Sequence, residues 1–227
     1  MAPAPDKLIA PWWHTLIAVA ALFGISAMNG STQHTTRFGL GREVVYAVSI
    51  GMEWLLVGFV WLGLRLRGVR LREIVGENAW RWSAVLRDLG IALVFLLAAN
   101  FALSVGAWLL HVRPTAAVQR ILPRSPLEIA VFLVVAVSAG ICEEIVFRGY
   151  LLQQFRAMTK STSSAVLMQA FVFGASHGYE GPRTMILLGV YGLMFGALAR
   201  WRRSLRPGMV AHALHDGIVG VLAGRFA

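Results

Sequence analysis

The sequence predicts an all-α protein, a polytopic bundle of transmembrane helices with about seven spans, in the range six to eight. Three observations carry this. Hydrophobic residues make up 57% of the 227 positions and charged ones only 14%. Apolar runs close to the length that crosses a hydrocarbon layer, about 20 residues, recur from end to end. The arginines fall between those runs rather than forming a basic, aromatic-lined surface, so the net charge of +10 reads as membrane topology and not as nucleic-acid binding. The single cysteine, Cys142, excludes an internal disulfide framework and a cysteine-based zinc site. With nothing beside it to stabilise a thiolate, it reads as a small buried filler.

The first span is expected over Leu8 to Met28, with Trp12 and Trp13 at the interface. Its core is long for a signal peptide and no small-residue cleavage pattern follows, so a retained helix is expected. A polar loop from Asn29 to Arg42 leads to a second span, Val44 to Leu64, interrupted by Glu53, which reads as the structural partner of another polar side chain. Residues 65 to 88 form the longest loop, with six arginines and with Trp80 and Trp82 suited either to the headgroup layer or to a solvated basic loop. The third span, Leu89 to Leu110, carries Asn100, suited to an interhelical hydrogen bond, and ends at an interfacial His111.

Pro114, Pro123 and Pro126 interrupt any helix before the fourth span. Ser125-Pro126-Leu127-Glu128 is a capping box with proline at the first helical position, which fixes where that helix starts. Glu143 then falls roughly 27 Å along it. A fifth run, Ser163 to His177, is short. The sixth, Thr184 to Ala199, has Gly192 and Gly196 at the spacing that lets helix backbones approach. Pro207 opens the last span, which holds His212, His215 and Asp216. The chain is expected to be one membrane domain, with residues 1–110 supplying helices and a basic loop and residues 111–227 a catalytic four-helix core.

Orientation follows from a count of basic residues. The side of the amino terminus receives 14 and the opposite side 7, or 13 to 7 when Arg148 is set aside as a site residue. The amino terminus is therefore expected in the cytoplasm, in an integral multi-pass protein of a bacterial cell membrane, with the glutamate pair near the cytoplasmic face.

The chemistry is concentrated in three places. Glu143 and Glu144 are adjacent in an apolar run, which is costly unless they are paired or reactive. Residues four apart on a helix differ by about 40° around the axis and neighbours by about 100°, so Glu144 meets Arg148 while Glu143 faces elsewhere. Glu144 is thus a support, and Glu143 the candidate general base. Phe173 and His177 share a second helix face. His212 and Asp216 share a third, with His215 close by.

Glu143-Glu144-x-x-Phe147-Arg148-Gly149, then Phe173-x-x-x-His177, then His212-x-x-x-Asp216, in this order, resemble the signature motifs of the CPBP family. These are CAAX-protease and bacteriocin-processing (Abi) intramembrane proteases, which include the type II CAAX prenyl endopeptidases. The resemblance covers about residues 125 to 222. It implies that Glu143 and His177 activate a water for attack on a peptide carbonyl, while His212 and the residue at position 216 stabilise the oxyanion. The substrate it implies is a membrane-associated protein or peptide, prenylated or not, with the lipid bilayer as the other partner. The prenyl-endopeptidase branch has asparagine where this chain has Asp216, and the wider family accepts either. An ionised aspartate would repel an oxyanion, so Asp216 serves either as a neutral acid or as the group that orients His212.

No cofactor is expected, because the family resembles metal-independent glutamate-type proteases. Zinc held by Glu143, His177 and His212 is the alternative, without the His-Glu-x-x-His pattern that would support it. Other readings are an immunity or scaffold protein that keeps the motifs for packing, and a proton-coupled transporter, which the lack of an internal repeat disfavours. Depth poses a difficulty: Glu143 and His212 fall near the cytoplasmic side and His177 nearer the other face. A late, tilted or broken fifth helix, or a cavity open to the cytoplasm, would bring them together.

Overall fold

The computed structural model describes residues 7–31, 41–76 and 82–225. Arg37, Trp80 and Arg81, which entered the loop and charge assignments above, lie outside the described residues. The described residues are helical throughout, with no strand among them: α1 (Trp12–Ser31), α2 (Arg42–Arg65), α3 (Leu71–Val75), α4 (Trp82–Leu109), α5 (Ala116–Ile121), α6 (Pro126–Glu143), α7 (Leu152–Thr159), α8 (Thr162–Ala175), α9 (Pro182–Arg202) and α10 (Arg206–Arg225). A π-helical segment, Glu144–Leu151, joins α6 to α7 without a break, and Gly178–Glu180 forms a single 3-10 turn.

Five of these helical rods are long and apolar enough to cross a membrane: α1, α2, α4, the continuous rod Pro126–Thr159, and α9. The expected seven differ from these five for two physical reasons. Helix α8 has only 14 residues, about 21 Å, well short of a full crossing. Helix α10 has 20 residues but spends several of them on His212, His215 and Asp216, so it is less apolar than the others. Both pack inside the bundle, α8 against α7 and α9, and α10 against α4 and α6.

Two expected boundaries move. The third span starts at Trp82 rather than Leu89, and the stretch before it is not a uniform loop, since α3 folds there. Arg65 and Arg87 accordingly lie on α2 and α4. Trp82, at the first turn of α4, is 83% exposed, as a side chain in the headgroup layer would be. The fourth helix starts where the capping box puts it. The Ser125 hydroxyl accepts from the Glu128 N–H at 3.2 Å, and Glu128 Oε2 accepts from the N–H groups of Ser125 at 3.2 Å and Arg124 at 2.6 Å. Satisfying these otherwise orphaned donors is worth about 1 kcal/mol.

Tertiary contacts define two ends of the bundle. At one end Gln154 ties α7 to the start of α1 and the residues before it: its Oε1 accepts from the Ile9 and Ala10 N–H groups at 2.8 and 3.2 Å, and its Nε2 donates to Thr15 Oγ1 at 2.6 Å. Also there, Arg202 on α9 meets Asp88 on α4 at 3.1 Å, and the Leu205 N–H donates to the Val75 carbonyl. At the other end Arg42 bonds the Arg120 carbonyl and Glu128, Tyr46 donates to the Ile121 carbonyl, and Arg183 donates to the His111 carbonyl. Helix α5 lies at this second end.

Glycines set the helix spacing at the core. A Cβ at Gly192 would lie 3.0 Å from the Ala170 Cα and one at Gly196 2.7 Å from Gln169 Nε2, so the close packing read from their spacing is realised between α9 and α8. A Cβ at Gly140 would lie 2.7 Å from the Ala213 nitrogen, which brings α6 and α10 together where both carry residues expected in the site.

Candidate active site

The π-helical segment is the innermost part of the fold: every residue from Glu144 to Leu151 is buried. Its i→i+5 pairing continues into α7, where the Leu152 N–H donates to the Phe147 carbonyl. Such insertions recur at functional sites because they turn side chains out of α-helical register. Here the insertion begins at the second glutamate.

Glu144 and Arg148 pair as the four-residue spacing predicts, with Oε1 and Nη1 3.0 Å apart and neither side chain exposed. The guanidinium also lies over two aromatic rings, 4.4 Å from the Phe173 centroid and 4.9 Å from that of Phe195. The arginine charge is thus balanced by one carboxylate and two ring faces. Phe173, expected as a support, is the meeting point of the motifs. Its ring is 4.9 Å from Phe147, 4.9 Å from His177 and 6.1 Å from His212.

The depth difficulty disappears in the hairpin of α7 and α8. The chain reverses at Lys160, which adopts the left-handed conformation (φ 58°) that ends α7, and Ser161 caps α8. Glu143 is 17 residues before Lys160 and His177 is 17 after it, so two antiparallel arms of equal length bring both to one level. The fifth helix is short, and the rod carrying Glu143 continues to Thr159 instead of ending near the pair.

His212 occupies the centre of the site and is buried. Its Nδ1 is 3.3 Å from Glu144 Oε1, and its Nε2 is 3.7 Å from Glu143 Oε2 and 3.6 Å from Asp216 Oδ2. Glu144 therefore supports two groups, Arg148 and His212, where the sequence suggested only the first. Glu143 and Asp216 retain 24% and 32% side-chain exposure, so both reach open space. Glu143 Oε2, the oxygen that faces His212, is itself buried and has no hydrogen-bond partner among the described residues.

His177 lies just past the end of α8. Its Nδ1 is 2.8 Å from the Phe173 carbonyl oxygen. A carbonyl only accepts, so Nδ1 carries the proton and Nε2 of the neutral ring keeps its lone pair.

One cavity of about 430 Å³ collects these groups: Glu143, His177, His212 and Asp216 all line it, together with His215, Glu53 and Glu180. Among the described residues its lining includes none at the end carrying Arg67 and Arg203, and it extends to Asn29, Val118 and Ile121.

Further groups bear on the site. Glu53 Oε2 accepts from the Ser138 hydroxyl at 2.5 Å, the structural partnership expected of it. Asn100 makes the expected interhelical bond, with its Oδ1 3.1 Å from His215 Nδ1. Tyr191 was not singled out in the sequence. Its ring packs 4.9 Å from His215 and 6.0 Å from His212, and as an aromatic in an apolar span it gave no signal. Glu180, in the 3-10 turn beside the cavity, has its carboxyl pushed up by burial, an effect His177 partly offsets. Cys142 is buried, as expected of a filler.

Among the described residues no three His, Cys, Asp or Glu side chains are grouped to hold an ion.

Residues 125–218 match the family described as type II CAAX prenyl endopeptidase Rce1-like. Neither the curated proteins nor the solved structures contain a match to the chain.

Proposed function

We propose, from the premise that residues 125–218 support the CPBP/CAAX protease family for this chain, that it is an intramembrane endopeptidase in which Glu143 and His177 activate water. The observation that carries this is the convergence of Glu143, His177, His212 and Asp216, from separate segments, on one cavity. Glu143 contributes a carboxylate that lines the cavity with its side chain 24% exposed, suited to meeting a water there. His177 contributes an unprotonated Nε2.

The chemistry is then a proton-balanced hydrolysis. The water oxygen bonds to the peptide carbonyl carbon as its proton passes to the Glu143 carboxylate. The carbonyl oxygen takes up the electron pair as an oxyanion, and collapse breaks the C–N bond. The proton held by Glu143 then goes to the departing amine. His212 is the candidate donor to the oxyanion, through Nε2, with Asp216 beside that nitrogen to orient it. Glu144 and Arg148 hold His212 from behind and do not touch the substrate. The substrate is a membrane-associated protein or peptide.

A Glu143→Gln variant, purified from its membranes with bound polypeptide identified by mass spectrometry, tests the reading. An uncleaved polypeptide that the unaltered protein cuts supports it. A polypeptide released unchanged by both proteins contradicts it.

A further inference from the structure

The apolar residues of the π-helical segment, Ile145, Val146, Phe147 and Leu151, would suit an α-helix equally, and so would its ion pair, because Glu144 and Arg148 stand four apart. Neither chooses the register. A slip of one residue turns each later side chain by about 100°, so the choice falls to a side chain that has only one place to go. Tyr150 is that side chain. It is fully buried, and its hydroxyl is bonded to two residues of α1, His14 and Thr15.

Each bond around it has a fixed direction. His14 Nε2 is 2.9 Å from the Phe59 carbonyl oxygen, which only accepts, so Nε2 carries the proton. In the neutral ring Nδ1 then accepts from the Tyr150 hydroxyl at 2.8 Å. The Tyr150 oxygen in turn accepts from the Thr15 hydroxyl at 3.1 Å, and Thr15 Oγ1 accepts from Gln154 Nε2 at 2.6 Å. The His14 ring is itself held in place: it stacks on Phe59 with centroids 3.9 Å apart, and a Cβ at Gly63 would lie 2.6 Å from its Nδ1. The chain of bonds runs from α7 through α1 to α2 and takes in the π-helical segment at Tyr150.

We propose that His14 is a positioning residue for the site, holding through Tyr150 the backbone register that sets Glu144 and Arg148 against His212. The same segment carries Glu144, 3.0 Å from Arg148 and 3.3 Å from His212, and Phe147, whose ring packs on Phe173, the residue whose carbonyl accepts from His177. A slip of register therefore displaces the supports of both histidines at once. A buried network whose donors and acceptors are matched specifies one arrangement. Neither His14 nor Tyr150 lines the cavity, so both act through the segment and not on the substrate. His14, Thr15 and Phe59 also lie outside the stretch 125–218 that matches the family, so the first two helices take part in the site. The effect on cleavage rests on the peptidase reading, whereas the effect on the segment does not.

Two measurements on the purified protein test this. Hydrogen exchange, which needs no cleavage, follows the amides of residues 144–152. Tyr150→Phe, which removes only the hydroxyl, is expected to speed their exchange by at least about tenfold and to leave α9 unchanged. Exchange equal to that of the unaltered protein overturns the proposal, whatever the protein cleaves. The second measurement is cleavage of a polypeptide that the unaltered protein cuts, at a temperature where melting shows each variant folded. Tyr150→Phe and His14→Leu are expected to lower kcat by about 10- to 100-fold with KM unchanged. His14→Gln, whose oxygen accepts from Tyr150 and whose nitrogen donates to Phe59, should recover most of that loss. Lower melting temperatures with kcat unchanged would reveal a packing role alone and overturn the proposal, and so would His14→Gln as slow as His14→Leu. If the unaltered protein cuts nothing, the peptidase reading fails and hydrogen exchange alone decides.

Discussion

His177 Nδ1 lies 2.8 Å from the carbonyl oxygen of Phe173, four residues before it. This bond ties a side chain just beyond α8 to the backbone of the helix, and it fixes which ring nitrogen faces away from the backbone. Neutral His177 is therefore expected as the form protonated at Nδ1. Nitrogen-15 NMR of histidine-labelled protein, assigned with His177→Ala, checks this, and a proton on Nε2 would contradict it. His177→Ala is expected to lower the cleavage rate by about 100- to 10,000-fold, the usual contribution of a side chain positioned at a proton-transfer step, because its Nε2 would no longer accept a hydrogen bond from the water that Glu143 deprotonates.

The buried pair Glu144 and Arg148 sets a second prediction. Arg148→Met leaves the Glu144 carboxylate buried beside His212 without its guanidinium and is expected to cost about 3–5 kcal/mol. Arg148→Lys keeps the charge but loses the planar group stacked on Phe173 and Phe195, so it should restore stability only in part. Glu144→Gln combined with Arg148→Met should melt above Arg148→Met alone. Thermal unfolding in detergent reads all three, and equal melting of the single and double variants would count against the pairing.

Helix approach is tested at Gly140. An added methyl group would meet the Ala213 backbone, part of α10 and close to His212, and backbone cannot move aside as a flexible side chain can. Gly140→Ala should cost about 1–3 kcal/mol and should also slow cleavage, because it separates Glu143 from His212. Gly24→Ala, where nothing lies within 4 Å, should leave both unchanged.

Glu180 supplies a pH dependence. Burial raises its carboxyl above the ordinary carboxylate range, so the folded protein holds a proton there that the unfolded chain has released. Its contribution to stability therefore falls as pH rises from the ordinary value through the raised one. Glu180→Gln should make unfolding less sensitive to pH in that interval and raise the melting temperature above it, with no gain at lower pH. A variant that melts lower only above that interval, with no change at lower pH, would show that the charged form is the stabilised one.

The parts of the site that local spacing encodes were legible in the sequence. The capping box at Ser125, the pairing of Glu144 with Arg148 and the close packing at Gly192 and Gly196 each depend on residues within one or two helical turns, and each is present. The common level of Glu143 and His177 was also written there, in the equal distances to Lys160, but it needed the turn to be recognised from the polar run after it. The π-helical register was not legible, since Glu144–Leu151 has the same apolar character as an α-helix and differs only in backbone pairing. Nor was the network in which His14 Nδ1 meets the Tyr150 hydroxyl at 2.8 Å, because its members lie more than 130 residues apart and each is a lone polar group in an apolar run.

The most direct test of the account is the cleavage rate of purified Glu143→Gln beside that of the unaltered protein, measured on the same polypeptide by mass spectrometry of the products, with thermal melting as the check on folding. Glutamine keeps the shape of the side chain and removes its capacity to take a proton from water. The account predicts a rate lower by at least about 100-fold at an unchanged melting temperature. Cleavage at the original rate by a folded Glu143→Gln protein would contradict it.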